Sequence, residues 1–145
     1  MKLKPKFVFG TKADTLNKLK PLLKHSIIPD MLYFFKSEWS ENPESVYSKV
    51  RDHFKGDLVI VRSSASSEDT EETALAGMHE SVLNVSTDNS EDFNSAVKRV
   101  FNSYEKSASN IDIDEQVLVQ FMIDNVSMSG VIFTQDMNTG APYYI

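Results

Sequence analysis

Leu58-Val59-Ile60-Val61-Arg62-Ser63-Ser64-Ala65-Ser66-Ser67-Glu68-Asp69-Thr70-Glu71-Glu72-Thr73-Ala74-Leu75-Ala76-Gly77-Met78-His79-Glu80-Ser81-Val82-Leu83-Asn84-Val85 is the stretch on which the fold of this chain turns. Leu58 to Val61 is an apolar run rich in β-branched residues and reads as a buried strand. Ala65 to Gly77 is small, polar and acidic, with neither helical nor strand period, and reads as a loop. Met78 to Val85 reads as a second strand leading back out.

The first strand delivers Arg62 into a loop carrying Ser63, Ser64, Ser66 and Ser67. A guanidinium presents a planar fork of donors that matches phosphate oxygens. Hydroxyls, and small residues such as Ala74, Ala76 and Gly77 that let backbone N–H groups approach, can complete an anion cradle. The plainer alternative is that Arg62 pairs with one of Glu68, Asp69, Glu71 or Glu72. Composition leaves both open. The loop contains neither a Gly-x-x-x-x-Gly-Lys-Ser/Thr nor a Gly-x-Gly-x-x-Gly pattern.

Composition narrows the function classes. The chain has 145 residues, 41% hydrophobic and 25% charged, which fits one ordinary domain with a real core. A net charge of −6 argues against general nucleic-acid binding. There is no cysteine, so no disulfide framework and no thiolate metal site. No apolar run approaches membrane-spanning length, and the basic start Met1-Lys2-Leu3-Lys4-Pro5-Lys6 has no apolar segment after it, unlike a signal peptide. A cytoplasmic setting without membrane partner is the expectation.

Phe7 to Phe9 reads as a short strand or turn. Gly10 to Leu16 opens a helix whose packing positions would be Leu16, Leu19, Leu22 and Leu23, with Pro21 breaking or kinking it. Lys12 at that helix start sits against the positive end of the dipole and would be more comfortable beside an anion. Ile27 to Phe34 reads as a strand, and Trp39 to Ser45 as a turn leading into a helix over Ser45 to Phe54, with Val46, Val50 and Phe54 on one face and Gly56 at its end. Ser90 is expected to cap a helix opened by Glu91 and Asp92, in which Phe93, Ala96, Val97, Val100, Phe101 and Tyr104 form an apolar stripe for packing. Ser107 to Asp114 reads as a polar loop, Gln116 to Ile123 as a buried strand, and Ser129 to Gly140 as a hairpin. His25 and His53 have no ligand-spaced partners, and no metal ligands are assigned.

Several of these segments share the order and spacing of one family. Val61-Arg62-Ser63-Ser64-Ala65-Ser66-Ser67-Glu68-Asp69, then Leu75-Ala76-Gly77-Met78-His79-Glu80-Ser81, then Leu83-Asn84-Val85 resemble the nucleotide-binding domain of phosphoenolpyruvate synthase and pyruvate phosphate dikinase. Gly10-Thr11-Lys12-Ala13-Asp14-Thr15-Leu16 is similar to the family's Gly-[Gly/Ser]-Lys-[Gly/Ala] motif, departing at Thr11 and Asp14-Thr15. Ser129 to Gly140 is similar to its Gly-Val-x-Phe-Thr segment, with Met137 in place of the usual proline.

The resemblance implies an α/β (α+β) architecture: the N-terminal portion of an ATP-grasp nucleotide-binding domain over residues 1–145, with a mixed sheet and packed helices. It implies ATP and Mg²⁺ as cofactors. Arg62 and Lys12 would act on phosphates as the catalytic cations; Ser63, Ser64, Thr73, Gly77, Met78 and Ser81 would shape the phosphate loop, with Thr134 near it; Gln120, Met122 and Ile123 would line the adenine pocket.

It further implies that the metal ligands, a phosphocarrier histidine and a small-molecule acceptor site lie in a C-terminal remainder, so that this stretch alone is inactive. The implied reaction carries the β-phosphoryl group of ATP through a histidine to an acceptor, as in making phosphoenolpyruvate from pyruvate. Relatives acting on an amide, such as glutamine in capsule synthesis, or on an antibiotic would share these motifs. So would a non-catalytic nucleotide-binding module.

Overall fold

The computed structural model describes residues 7–64, 80–104, 115–130 and 139–141 in full, and the backbone alone at 69–70, 73–74 and 105–106. In chain order the elements are helix α1 (Lys12–Leu19) with a 3₁₀ turn over Lys20–Leu22, strand β1 (Met31–Phe35), helices α2 (Lys36–Glu41) and α3 (Pro43–Phe54), strands β2 (Leu58–Ser63), β3 (Asp69–Thr70), β4 (Thr73–Ala74) and β5 (Ser81–Ser86), helix α4 (Ser90–Lys106) and strand β6 (Gln116–Phe121). The main sheet runs β1-β6-β2-β5, and each of its pairings is antiparallel. The expected α/β layering is therefore present, and no parallel pair of the expected mixed sheet occurs among the described residues.

Strand alternation sorts the sheet into two faces. Val59 and Val61 of β2, Phe34 of β1, Val85 of β5 and Val117 and Val119 of β6 form one apolar face. Three helices cover it. α4 contributes the whole expected stripe, Phe93, Ala96, Val97, Val100, Phe101 and Tyr104, all buried. α3 contributes Val46, Val50 and Phe54, also as expected, together with Tyr47. α2 supplies Trp39, whose ring stacks on Phe34 at 5.6 Å. Each such large side chain removed from water is worth about 1.5–3 kcal/mol, so this face carries most of the stabilisation.

Several expectations need correction. Trp39 lies inside α2, not in a turn, and α3 begins at Pro43 rather than Ser45. Asn42 explains the earlier start: its side chain accepts from Ser45 N at 3.0 Å, and Pro43 needs no N–H partner in the first turn. Asn89, not Ser90, caps α4, its Oδ1 accepting from Glu91 N and Asp92 N at 3.1 and 3.2 Å. The strand expected from Ile27 begins only at Met31, and Ile27 is exposed. The strand expected over Met78 to Val85 is present as Ser81–Ser86; Met78 and His79 lie outside the described residues.

Leu22 and Leu23 are exposed rather than packed, because Pro21 tightens the end of α1 into a 3₁₀ turn and takes them off its face. Phe7 to Phe9 forms no element. Asp69–Thr70 pairs with Thr73–Ala74 inside what reads as a featureless loop. Ser107 to Asp114, and the hairpin expected within Ser129 to Gly140, fall largely outside the described residues.

Two backbone devices shape β2, one at its start and one within it. Lys55 adopts a left-handed conformation and Gly56 follows at φ +89°, turning α3 into β2; Thr87, fully buried, accepts from Gly56 N at 3.1 Å and donates to Asp57 O at 3.0 Å. On β5 the register slips between Val59 and Val61 of its partner, with Asn84 at φ +56°, a conformation asparagine tolerates better than most residues.

Candidate functional site

Arg62 lies on the sheet face opposite α2, α3 and α4. Within β2, Val59, Val61 and Ser63 are buried toward the core, while Ile60 and Arg62 alternate to the other side. Across from Arg62 stand Leu118 on β6 and Ser81 on β5, and across from Ile60 stands Gln120. Arg62 is half-buried, and its Nε is buried with no hydrogen-bond partner among the described residues. A buried donor left unpaired costs about 1–3 kcal/mol, and an anion brought against it would remove that cost.

The start of α1 docks beside this strand through buried polar contacts. Thr11 is its N-cap: Oγ1 accepts from Asp14 N at 3.2 Å and donates to Gln116 Oε1 at 2.8 Å. Ala13 N donates to Ser64 Oγ at 2.9 Å, and Ser64 Oγ donates onward to Gln116 Oε1 at 3.3 Å. The backbone N of Ser64 donates to Tyr104 Oη at 2.7 Å and to Gln116 O at 3.2 Å, and Tyr104 Oη donates to Gln116 O at 2.6 Å. Ser64, Gln116 and Tyr104 are all buried. Thr11 and Asp14, where the chain departs from the family motif, therefore build the helix start: one caps it and the other puts an acidic side chain in its first turn, which suits the dipole.

The structure accordingly divides the expected site residues. Lys12, the first residue of α1, and Arg62 are brought to one end of β2. Ser64 is there too, with its hydroxyl committed to Ala13 and Gln116. Ser63 is buried on the helix-covered side, with its backbone N donating to Glu80 O at 3.3 Å. Ser81 is exposed opposite Arg62 on edge strand β5.

Gln120 is buried at the far end of the same face, its Nε2 3.9 Å from Met31 Sδ. Met122 and Ile123, expected within the strand, follow its end: Met122 N donates to Leu58 O at 3.0 Å, and Ile123 is exposed. They line a hollow of about 350 Å³ with Asp57, Leu58, Asn84, Phe121 and Asp124. Leu58 lies four residues before Arg62, about 13 Å away at the rise of a strand. Thr73 is described in backbone only, and Gly77, Met78 and Thr134 lie outside the described residues.

Gln116 and Tyr104 are the residues sequence reasoning missed. Tyr104 reads as one more apolar position on an amphipathic helix. Gln116 is a polar residue opening an otherwise apolar buried run, and that is the one signal that singles it out. Among the described residues no group of three or more His, Cys, Asp or Glu stands close enough to hold a metal ion. No described helix is long and apolar enough to cross a membrane.

Comparison with known proteins identifies the family of the chain. The family model of the pyruvate phosphate dikinase AMP/ATP-binding domain matches residues 11–145. The chain is similar to the "Uncharacterized phosphotransferase YvkC" of Bacillus subtilis (strain 168), at 35% identity over 113 residues, covering 70% of this chain and 13% of that protein. The chain thus spans a small part of the curated relative it matches. No solved structure matches it. The match begins at Thr11, the residue that caps α1 beside Arg62, and continues to the end of the chain: it belongs to the pyruvate phosphate dikinase AMP/ATP-binding domain family.

Proposed function

We propose that this chain is the N-terminal part of an ATP-grasp domain, and that the phosphates of ATP lie at Arg62 and Lys12, on the sheet face opposite α2, α3 and α4. The observation that carries this reading is the buried Nε of Arg62, without a hydrogen-bond partner among the described residues, on the face opposite α2, α3 and α4 and beside the anchored start of α1. Arg62 would hold a phosphate by its fork of donors, and Lys12 would add a second cation from α1. The hollow at Met122 and Ile123 lies at the other end of β2, a separation of the order an extended nucleotide spans, which supports placing the base there and the phosphates at Arg62.

The parent protein, in this reading, transfers the β-phosphoryl group of ATP through a histidine to a small acceptor, as in ATP + pyruvate + water giving phosphoenolpyruvate, AMP and phosphate. Phosphoryl transfer is mostly positioning and charge stabilisation, and this part supplies cations for it. Mg²⁺ would supply charge neutralisation for the phosphates when bound. The described residues hold no ligand cluster for it, and this reading assigns its ligands to the C-terminal remainder of the parent. An amide or antibiotic acceptor on the same domain is the second reading; the departures at Thr11, Asp14 and Met137 from the family motifs favour a divergent member.

The test is ATP consumption by the full-length protein with AMP and ADP separated, against acceptors including pyruvate and glutamine. AMP formed with one acceptor supports the dikinase-type route and identifies the acceptor. ADP as sole nucleotide product refutes that route, and failure to bind ATP refutes the nucleotide reading altogether.

A further inference from the structure

We infer that Gln116 is a positioning residue that fixes Lys12 relative to Arg62; the inference rests on the phosphate reading of that pair. Lys12 is flanked by two tethered neighbours. Thr11 before it donates to Gln116 Oε1 at 2.8 Å, and Ala13 after it donates through its backbone N to Ser64 Oγ at 2.9 Å. Ser64 Oγ in turn donates to the same Gln116 Oε1 at 3.3 Å. One carbonyl oxygen therefore closes both tethers. Ser64 lies two residues beyond Arg62 on the same side of the strand, so the lock sets the distance between the backbones that carry the two cations.

Packing alone does not account for an amide here. Gln116 is 3% exposed. Leu118, two residues on and on the same side of β6, is fully buried with an apolar side chain. A leucine at 116 would fill similar space. It would leave the hydroxyls of Thr11 and Ser64 without their acceptor and let the start of α1 settle in more than one place. Binding two phosphate oxygens with two cations requires those cations at a fixed spacing, and misplacement by about 1 Å can cost on the order of 100-fold.

The experiment is a double-mutant cycle on the full-length protein, with ATP as the titrant and the dissociation constant as the readout. Gln116→Leu and Lys12→Ala are made singly and together, and circular dichroism checks each for native fold. Gln116→Leu is expected to raise the dissociation constant about tenfold or more, by displacing Lys12. In the Lys12→Ala background the same change is expected to add less than about twofold, because there is no lysine left to misplace.

Factors that multiply in the double variant would show that Gln116 acts on the fold generally, and would overturn the inference while leaving ATP binding at Arg62 standing. An unaltered dissociation constant in Gln116→Leu, or in Lys12→Ala, would overturn it as well. Should Gln116→Leu not fold, Thr11→Val breaks the same lock at its other end and is held to the same non-additivity with Lys12→Ala. Wild-type protein that binds no ATP would refute the nucleotide reading itself, and this inference with it.

Discussion

Replacing Tyr104 with phenylalanine isolates the polar knot beneath the site from the packing around it. The ring remains in the core beside β2 and α4; only the hydroxyl is lost. That hydroxyl accepts from Ser64 N at 2.7 Å and donates to Gln116 O at 2.6 Å, where all three residues are buried. Each neutral hydrogen bond is worth about 1 kcal/mol net, which sets an upper figure of about 2 kcal/mol. Ser64 N and Gln116 O also bond each other at 3.2 Å, so neither is left unsatisfied when the hydroxyl goes. The expected loss is therefore about 1–1.5 kcal/mol. Urea unfolding followed by tryptophan fluorescence is a suitable assay, since Trp39 is buried in the same helix-covered core as Tyr104. The midpoint should fall while the slope of the transition stays unchanged. A loss below about 0.3 kcal/mol would mean that the Ser64–Gln116 bond alone holds the strand ends, and a loss above about 3 kcal/mol would mean that the hydroxyl supports far more than these two contacts.

Other substitutions separate function from fold. Arg62→Met should leave unfolding free energy unchanged or raise it by up to about 1–3 kcal/mol, since the buried Nε has no partner to lose and its unpaired cost goes, yet lower kcat/KM of the full-length enzyme by about 100- to 1000-fold; a loss of stability matching the loss of activity would make Arg62 structural. Gly56→Ala should destabilise by about 1–2 kcal/mol in thermal or urea unfolding, because the residue sits at φ +89° and an added Cβ would lie 2.5 Å from Asp88 Oδ2; a neutral outcome would refute the strained turn. Burial raises the Asp30 carboxyl pKa, but His53 at 2.9 Å, the Met31 N–H and Lys20 outweigh it and the net direction is down. The stabilisation is thus present above the unfolded carboxylate value of about 3.9 and lost as pH falls through the lower folded one, so wild type and Asp30→Asn should differ above about pH 4 and converge below it. Asp30 is 58% exposed, so the difference should stay under about 1 kcal/mol, and a gap that widened as pH fell would refute the assignment.

Much of the fold was legible because its driving pattern is periodic. The stripe from Phe93 to Tyr104 and the face of Val46, Val50 and Phe54 are spaced by the helix itself, and each of these residues is buried. What failed were the boundaries, where single hydrogen bonds decide. Asn42 and Asn89 take the caps because their carbonyls reach backbone N–H groups two and three residues on, and a neighbouring serine offers a similar signal in the sequence. The apolar run from Ile27 looked like strand, but only from Met31 does β6 offer a paired edge. Leu22 and Leu23 had helical spacing and still ended exposed, since Pro21 changed the geometry beneath them.

The site was legible as a motif but not as a division of labour within it. Val61-Arg62-Ser63-Ser64 reads as one phosphate-binding unit, yet strand alternation sends Val61 and Ser63 to the helix-covered core and Arg62 to the opposite face, while Ser64, just past the strand, is fully buried against the start of α1. Ser64 has its hydroxyl committed to Ala13 and Gln116. Arg62 alone keeps a buried donor unused among the described residues. A fold gains nothing from an unpaired buried guanidinium nitrogen, whereas an anion site requires one. Adjacent hydroxyl and guanidinium groups in the same motif thus have opposite assignments: the serine is structural because its bonding capacity is filled from within, and the arginine is a ligand candidate because its capacity is not. The same reasoning singles out Gln116, whose one carbonyl oxygen is shared between the segment before Lys12 and the segment after Arg62. No spacing rule in the sequence joins positions 11, 64 and 116; only the antiparallel return of β6 alongside β2 brings them together.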